Sequence, residues 1–330
     1  MQNLRFGVGL FPSKHAGEAV ELAVSADEAG YDVVWVGDSH MIWRELYVLM
    51  GYIAAKTRRV LIAPGVTQLL TRHPTVTASA LITLNELAPD RARLGLGLGD
   101  SSVMNIGKER ANLSALIDGV RLFHTLCAGQ GTPLNGREGK ITFASGSKIP
   151  VYIASNRLRI LEFAGATADG VILAGDRGDL AERIDTIRRA QEKAGRAPQE
   201  VKIVWWRACN ISENSREARE AVKPMVARAA MSELKRKAKI GRLDGEERDV
   251  LESLRQNYNF YHHMGPEHSR LVPDTWVDRY ALAGSPADIL NSIQEALPEG
   301  IDEIAIVPFG EDRKRVVTQF AGGVMNALKR

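Results

Sequence analysis

Residues 59–100 constrain the fold more than any other stretch of this chain. The segment RVLIAPGVTQLLTRHPTVTASALITLNELAPDRARLGLGLGD holds two apolar runs, 60–66 and 92–98, that read as strands buried on both faces. Between them lies an amphipathic stretch with Pro74 near its start and Pro89 beyond its end. Proline suits the first turn of a helix and stops a helix that reaches it. Strand, helix and strand in this order make a βαβ unit, because parallel neighbours cannot be joined by a tight turn. Polar residues and glycines gather where each run stops: Gly65, Thr67, Arg72 and His73 after the first, Gly99, Asp100, Ser101 and Ser102 after the second. In a parallel barrel that edge carries the active site, so an enzyme is the leading expectation.

The same alternation runs almost from end to end. Strand-like runs fall at 4–10, 32–36, 60–66, 92–98, 150–154, 170–174, 201–211 and 301–307, most of them followed by a helical pattern. Eight such strands predict a closed (β/α)8 TIM barrel rather than a five- or six-stranded open sheet. Residues 130–148, rich in Gly, Thr, Ser and Lys, predict at most a short hairpin. One region breaks the rhythm. Residues 212–283 read as helical and charged, far longer than one crossover needs, and predict an insertion between strands seven and eight. The expected organisation is one barrel domain over 1–330, with this insertion over the active site.

Composition closes off other classes. The 330 residues are 45% hydrophobic and 25% charged, as in an ordinary globular protein, and the net charge of +3 offers no general case for nucleic-acid binding. No apolar run approaches a membrane span, and the opening MQNLRFGVGLF goes straight into a strand-like run without a signal-peptide pattern. Cys127 and Cys209 lie far apart with no CxxC spacing, which predicts free buried thiols in a reducing cytoplasm.

Several motifs bear on chemistry. Gly95-Leu96-Gly97-Leu98-Gly99-Asp100 approximates a dinucleotide fingerprint, but its glycines belong to a strand, where small residues relieve crowding inside a barrel. Asp38-Ser39-His40 ends the second strand; Asp38 or Ser39 can cap the next helix, while His40 can pass a proton. Arg72 suits either an ion pair or a polar ring contact, and His73, before Pro74, reads as structural. Ser155-Asn156-Arg157 and Gly175-Asp176-Arg177 each end a strand and open a helix, so the pair resembles a phosphate cradle. The run Lys235-Arg236-Lys237-Ala238-Lys239 reads as a solvated helix face, with an electrostatic funnel for an anionic tail as the alternative. Tyr258, Phe260, Tyr261, His262 and His263 read equally as internal packing or as a substrate-facing wall. No HxxxH or HxH pair and no GxSxG elbow occur, so neither a metal centre nor a serine nucleophile is expected.

Four stretches together, GYDVVWVGDSH, PGVTQLLTRHPTVTASALITLNELAPDRARLGLGLGD, PVYIASNRLRILEFAGATADGVIL and AGSPADILNSIQEALPEGIDEIAIVPFG, resemble the luciferase-like monooxygenase family. Within it the chain is most similar to the deazaflavin-dependent methylenetetrahydromethanopterin reductases, least so from 212 to 268. The resemblance implies a barrel enzyme that transfers hydride between noncovalent reduced coenzyme F420, a deazaflavin, and a small organic substrate. The alternative it leaves open is an FMN-dependent monooxygenase that uses oxygen and takes reduced flavin from a partner flavin reductase. It also implies a homo-oligomer, dimer or tetramer, that engages neither membrane nor nucleic acid. By position, a cis peptide is expected at Gly65-Val66 behind the ring, with Thr67, Arg72, Gly99 and Asp100 around it and Asp38, Ser39 and His40 at its edge. Ser155, Asn156, Arg157, Gly175, Asp176 and Arg177 match the phosphate turns. Gly9 stands where the reductases often carry an acidic residue, so their proton donor does not transfer to this chain.

Overall fold

Alternate residues of each strand face opposite sides, and in this chain both sides are apolar. The computed structural model, which describes residues 4–259 and 265–329, shows where the two sides go. Its strands in chain order are β1 Arg5–Leu10, β2 Val33–Val36, β3 Leu61–Pro64, β4 Leu94–Leu96, the hairpin β5 Thr132–Leu134 and β6 Arg137–Gly139, then β7 Val151–Ala154, β8 Gly170–Leu173, β9 Lys202–Ile211, β10 Ala281–Gly284 and β11 Glu303–Pro308. The main sheet runs β3-β2-β1-β11-β9-β8-β7-β4, all parallel, and bridges at Ile62–Ala92 and Thr67–Leu96 join its two ends. The predicted eight-stranded barrel is present. Phe6, Val8, Val34, Ile62 and Ile304 point outward into the helix layer, whereas Val33, Trp35, Ala63, Val204, Trp206 and Ala305 fill the interior.

The interior explains two of the strand glycines. A Cβ on Gly9 would lie 2.7 Å from the Trp206 ring, and one on Gly95 would lie 2.1 Å from the Pro64 carbonyl oxygen. The alternating Leu-Gly of β4 therefore serves close packing, as its pattern predicts, and not a nucleotide loop.

One expectation needs correction. The segment 212–283 is not helical throughout, because its end forms β10, which pairs with Ala208–Ile211 of β9. Strand β9 is ten residues long, and its lower half pairs with β8 while its upper half takes β10. The sequence ALAG of β10 has no β-branched residue to announce a strand. After β11 the chain closes on a helix that is α-helical over Arg313–Gln319, passes through a π segment at Phe320–Met325, and ends α-helical at Asn326–Leu328.

The rest of that long segment lies against the barrel. Val222, Val226, Ala230 and Leu234 of helix Ser215–Lys239, and Leu251 and Leu254 of helix Gly245–Asn257, join the same apolar cluster as Trp206 and Tyr152. Tyr258 is buried and stacks on the His268 ring at 4.2 Å, so its role is packing. Its predicted companions Phe260, Tyr261, His262 and His263 lie outside the described residues. Among the described residues no helix is long and apolar enough to cross a membrane.

Candidate active site

The carboxyl ends of β2 and β3 converge on one buried carboxylate. Asp38 Oδ2 accepts hydrogen bonds from Thr67 Oγ1 at 2.6 Å and from Arg72 Nη1 at 2.7 Å. Arg72 donates its other arm to Glu45 Oε1 at 2.7 Å and lies 5.0 Å above the Tyr47 ring. Burial pushes the Tyr47 phenol up to about 12, and that phenol donates to Thr77. Thr67 directly follows the Gly65–Val66 peptide, which is cis, as the resemblance leads one to expect.

Ser39 Oγ meets Ser101 Oγ at 2.9 Å, which links the β2 rim to the β4 rim. The capping role considered for Asp38 and Ser39 is not realised. Glu45 caps the next helix, Leu46–Lys56, by accepting from Val48 N, and leaves Asp38 and Ser39 facing the rim. His73, as expected, is structural: its Nδ1 accepts from Thr75 N at the start of helix Pro74–Leu87. His40 stands exposed on a turn beside Met41 (φ 68°) and makes no hydrogen bond among the described residues. Trp43 stacks on Phe11 at 4.5 Å and closes this corner.

The second cluster lies at the ends of β7 and β8. Asn156 Oδ1 accepts from Ala174 N at 3.4 Å, Ser155 Oγ from Arg157 N at 3.1 Å, and Asp176 Oδ1 from Gly178 N at 3.0 Å. Among the described residues the amides of Asn156, Gly175 and Asp176 have no acceptor. Gly175 has φ 91°, a conformation that side-chain-bearing residues rarely adopt. The Asp176 carboxylate itself is engaged. It pairs with Arg279 and lies 3.9 Å from Lys237 Nζ. Burial works against its ionisation, but Arg279, the Gly178 amide and Lys237 together hold it below the usual carboxylate range.

Long-range partners that no local pattern announces complete this cluster. Glu233 of helix Ser215–Lys239 is buried; its Oε2 lies 3.5 Å from Asn156 Nδ2, and its Oε1 accepts from Arg183 at 2.7 Å. Burial raises the Glu233 carboxyl even with Arg183 and Arg236 beside it. Arg207 of β9 is also buried and donates to the carbonyls of Gly175, Arg279, Asp278 and Ala281, tying the turn after β8 to the approach to β10. Burial and then the charge of Arg177 bring this guanidinium down to about 9. Arg157 is exposed and Arg177 half-buried, and neither forms an ion pair among the described residues.

On the β4 side, Gly99 has φ 89° and Asp100 bonds two arginines, Arg110 and Arg228, instead of capping the short helix Ser101–Met104. The basic run also departs from expectation: Arg236 pairs with Glu233 and Asp179, and Lys237 with Glu247, so these two are not a solvated face. At the opposite end of the barrel interior, Trp35 Nε1 donates to Glu303 Oε1 at 2.6 Å. Burial lifts the Glu303 carboxyl to about 7, although Arg93 lies 3.9 Å away. Among the described residues no group of His, Cys, Asp and Glu is arranged to hold a metal.

Residues 4–303 match the family described as luciferase-like monooxygenase. The chain belongs to that family. This luciferase-like protein is thus an oxidoreductase. It is 26% identical over 338 residues to a 5,10-methylenetetrahydromethanopterin reductase of Archaeoglobus fulgidus, covering 99% of this chain and all of the relative. It is 24% identical to an F420-dependent glucose-6-phosphate dehydrogenase of Kineococcus radiotolerans, covering 95% and 93%. Its fold is that of the coenzyme F420-dependent tetrahydromethanopterin reductase of Methanopyrus kandleri, with TM-score 0.82 at 20% identity over 98% of this chain and 99% of the other.

Proposed function

We propose that this luciferase-like protein transfers hydride between reduced coenzyme F420 and a small organic substrate, at the carboxyl end of its barrel. The observation that carries this reading is the buried Asp38–Thr67–Arg72 group beside the Ser39–Ser101 contact on that face. Near-full-length similarity to a reductase and to a dehydrogenase named as F420-dependent favours the deazaflavin over FMN. When bound, a deazaflavin supplies a ring carbon that gives or takes hydride.

The chain's own residues then divide the work. Gly65, Val66 and Thr67 back the ring, Gly99 and Asp100 flank it on the β4 side, and Asp38 and Ser39 hydrogen-bond at its edge. Arg72 fixes the Asp38 carboxylate in one orientation, since its planar guanidinium is itself anchored by Glu45 through the other arm. His40, which makes no hydrogen bond among the described residues, moves a proton to or from the substrate. The amides of Asn156, Gly175 and Asp176, without an acceptor among the described residues, suit a phosphate, with Ser155 shaping the turn and Arg157 and Arg177 supplying charge. Asp176 contributes its amide and not its carboxylate, which Arg279 occupies. Residues 1–330 act as one domain with 212–283 as an insertion over the mouth, in a cytoplasmic homo-oligomer whose thiols Cys127 and Cys209 stay reduced and buried.

The test is to mix the purified protein with coenzyme F420 and with FMN, and to follow each by fluorescence quenching. The expected result is binding of F420 and oxygen-independent turnover with a substrate. Binding of FMN alone, with oxygen consumed when a flavin reductase is added, would replace this reading by the two-component monooxygenase.

A further inference from the structure

Four aromatic side chains gather in one quarter of the barrel's carboxyl end. Trp206 of β9 lies inside the barrel, where its ring edge takes the space beside two glycines. A Cβ on Gly9 would meet that edge at 2.7 Å, and one on Gly65 would meet it at 3.0 Å. Trp35 packs edge-to-face against the same ring at 6.4 Å. Trp35 is fully buried, whereas Trp206 stays 9% exposed, so part of its surface is left uncovered.

The next layer toward the mouth follows from strand register. Gly9 of β1 pairs with Trp35 of β2, and Val307 of β11 pairs with Ala208 of β9. Two residues further along the same strands, on the same face, stand Phe11, Gly37, Phe309 and Asn210. The half-buried Phe11 ring stacks on Trp43 and meets Phe309 edge-on at 6.3 Å. Gly37 makes room for that stack, because a Cβ there would lie 2.5 Å from the Trp43 ring.

None of the positions in these two layers carries a charge. Asn210 is neutral, and its Nδ2 donates to the Phe309 carbonyl at 2.7 Å. Asp38, next to Gly37, spends its carboxylate on Thr67 and Arg72. The polar turns after β7 and β8 belong to a different quarter, above the small residues Ala154 and Ala174. Uncovered aromatic surface gains by burying an apolar partner. A charged group placed there would lose its water without gaining a counter-charge.

We infer that Phe11, Trp43, Trp206 and Phe309 form the substrate pocket, and that it selects an uncharged, largely apolar ring compound over a sugar phosphate or a carboxylate. This rests on the reading of that barrel face as the place of hydride transfer.

The probes are 2-naphthol and 2-naphthoate, alike in shape but neutral and charged at pH 7, titrated by calorimetry into the full chain. Saturable binding of 2-naphthol is expected, with 2-naphthoate at least about tenfold weaker. Trp43→Ala, at a half-buried position, should weaken 2-naphthol about tenfold with unchanged circular dichroism. Phe11→Lys should bring the two ligands to parity or reverse their order, whereas a folding defect would lose both. No binding of 2-naphthol, or equal binding of the pair by the parent chain, would overturn the pocket. An unchanged ratio in Phe11→Lys, or unchanged 2-naphthol affinity in Trp43→Ala, would do the same. Coenzyme F420 should leave 2-naphthol in place; displacement would put the probe in the coenzyme's own position and also overturn the pocket. If F420 fails to bind while the preference and its reversal persist, the coenzyme reading falls and the pocket stands. Turnover of F420 with glucose 6-phosphate would sink the pocket and leave the coenzyme reading intact.

Discussion

Arg72 Nη1 donates to Asp38 Oδ2 at 2.7 Å, with the two side chains 13% and 2% exposed. Thirty-four positions apart in sequence, they join the rims after β2 and β3 into one rigid corner. The pairing also has an energetic side, since a buried carboxylate deprived of its cation keeps its desolvation cost without compensation.

Arg72→Gln should therefore destabilise the protein by about 3–5 kcal/mol, read as a lower urea midpoint at unchanged m-value. The double variant Asp38→Asn with Arg72→Gln should recover much of that loss, because the uncompensated charge is gone. A single-variant loss well below about 1 kcal/mol would show that water reaches Asp38.

Asn156→Asp should weaken coenzyme binding. The new carboxylate would face both the phosphate and Glu233 Oε2, which lies 3.5 Å from the present amide nitrogen. At least a tenfold rise in Kd, about 1.4 kcal/mol, is expected from fluorescence quenching. Equal affinity for both coenzymes before and after the change would move the phosphate elsewhere.

His40→Ala should lower kcat by about 10²–10⁴-fold while leaving coenzyme affinity largely intact, as expected of a general acid or base. The ring is exposed and makes no hydrogen bond among the described residues, so its loss should leave the urea midpoint unchanged. Near-normal turnover would remove His40 from the mechanism.

Glu303 gives the fold a pH dependence. Its carboxyl titrates at about 7 in the folded protein against an ordinary 4.5, chiefly because it is buried, and Arg93 and Trp35 only partly oppose that. A raised carboxyl value means the folded state holds a proton that the unfolded chain has lost. Its stabilising contribution is thus complete below about 4.5 and disappears as pH rises through 7, a change on the order of 3 kcal/mol. Glu303→Gln retains an acceptor for Trp35 Nε1 and should flatten this slope in urea unfolding between pH 5 and 7.5. An unchanged slope would assign it to other groups.

The βα alternation, the doubly buried strands and the place of the polar rim could all be read from the sequence. Each is a local pattern: strand and helix periods report which faces avoid water, and glycine or proline marks where a period ends. Asp38, Ser39, Thr67 and Arg72 were recognisable as rim residues for the same reason, because they directly follow strand ends. Which of them touch was decided by the closed barrel, which brings the end of β2 beside those of β3 and β4. Glu233 reaches Asn156 from 77 positions away, Arg279 reaches Asp176 from 103, and Trp35 reaches Glu303 from 268. A charged side chain carries no periodic signature of its partner, so a run such as Lys235-Arg236-Lys237 reads in sequence as one basic face. Only the tertiary structure divides it, turning Arg236 and Lys237 onto the buried carboxylates of Glu233 and Glu247, because helical geometry sends successive side chains in different directions.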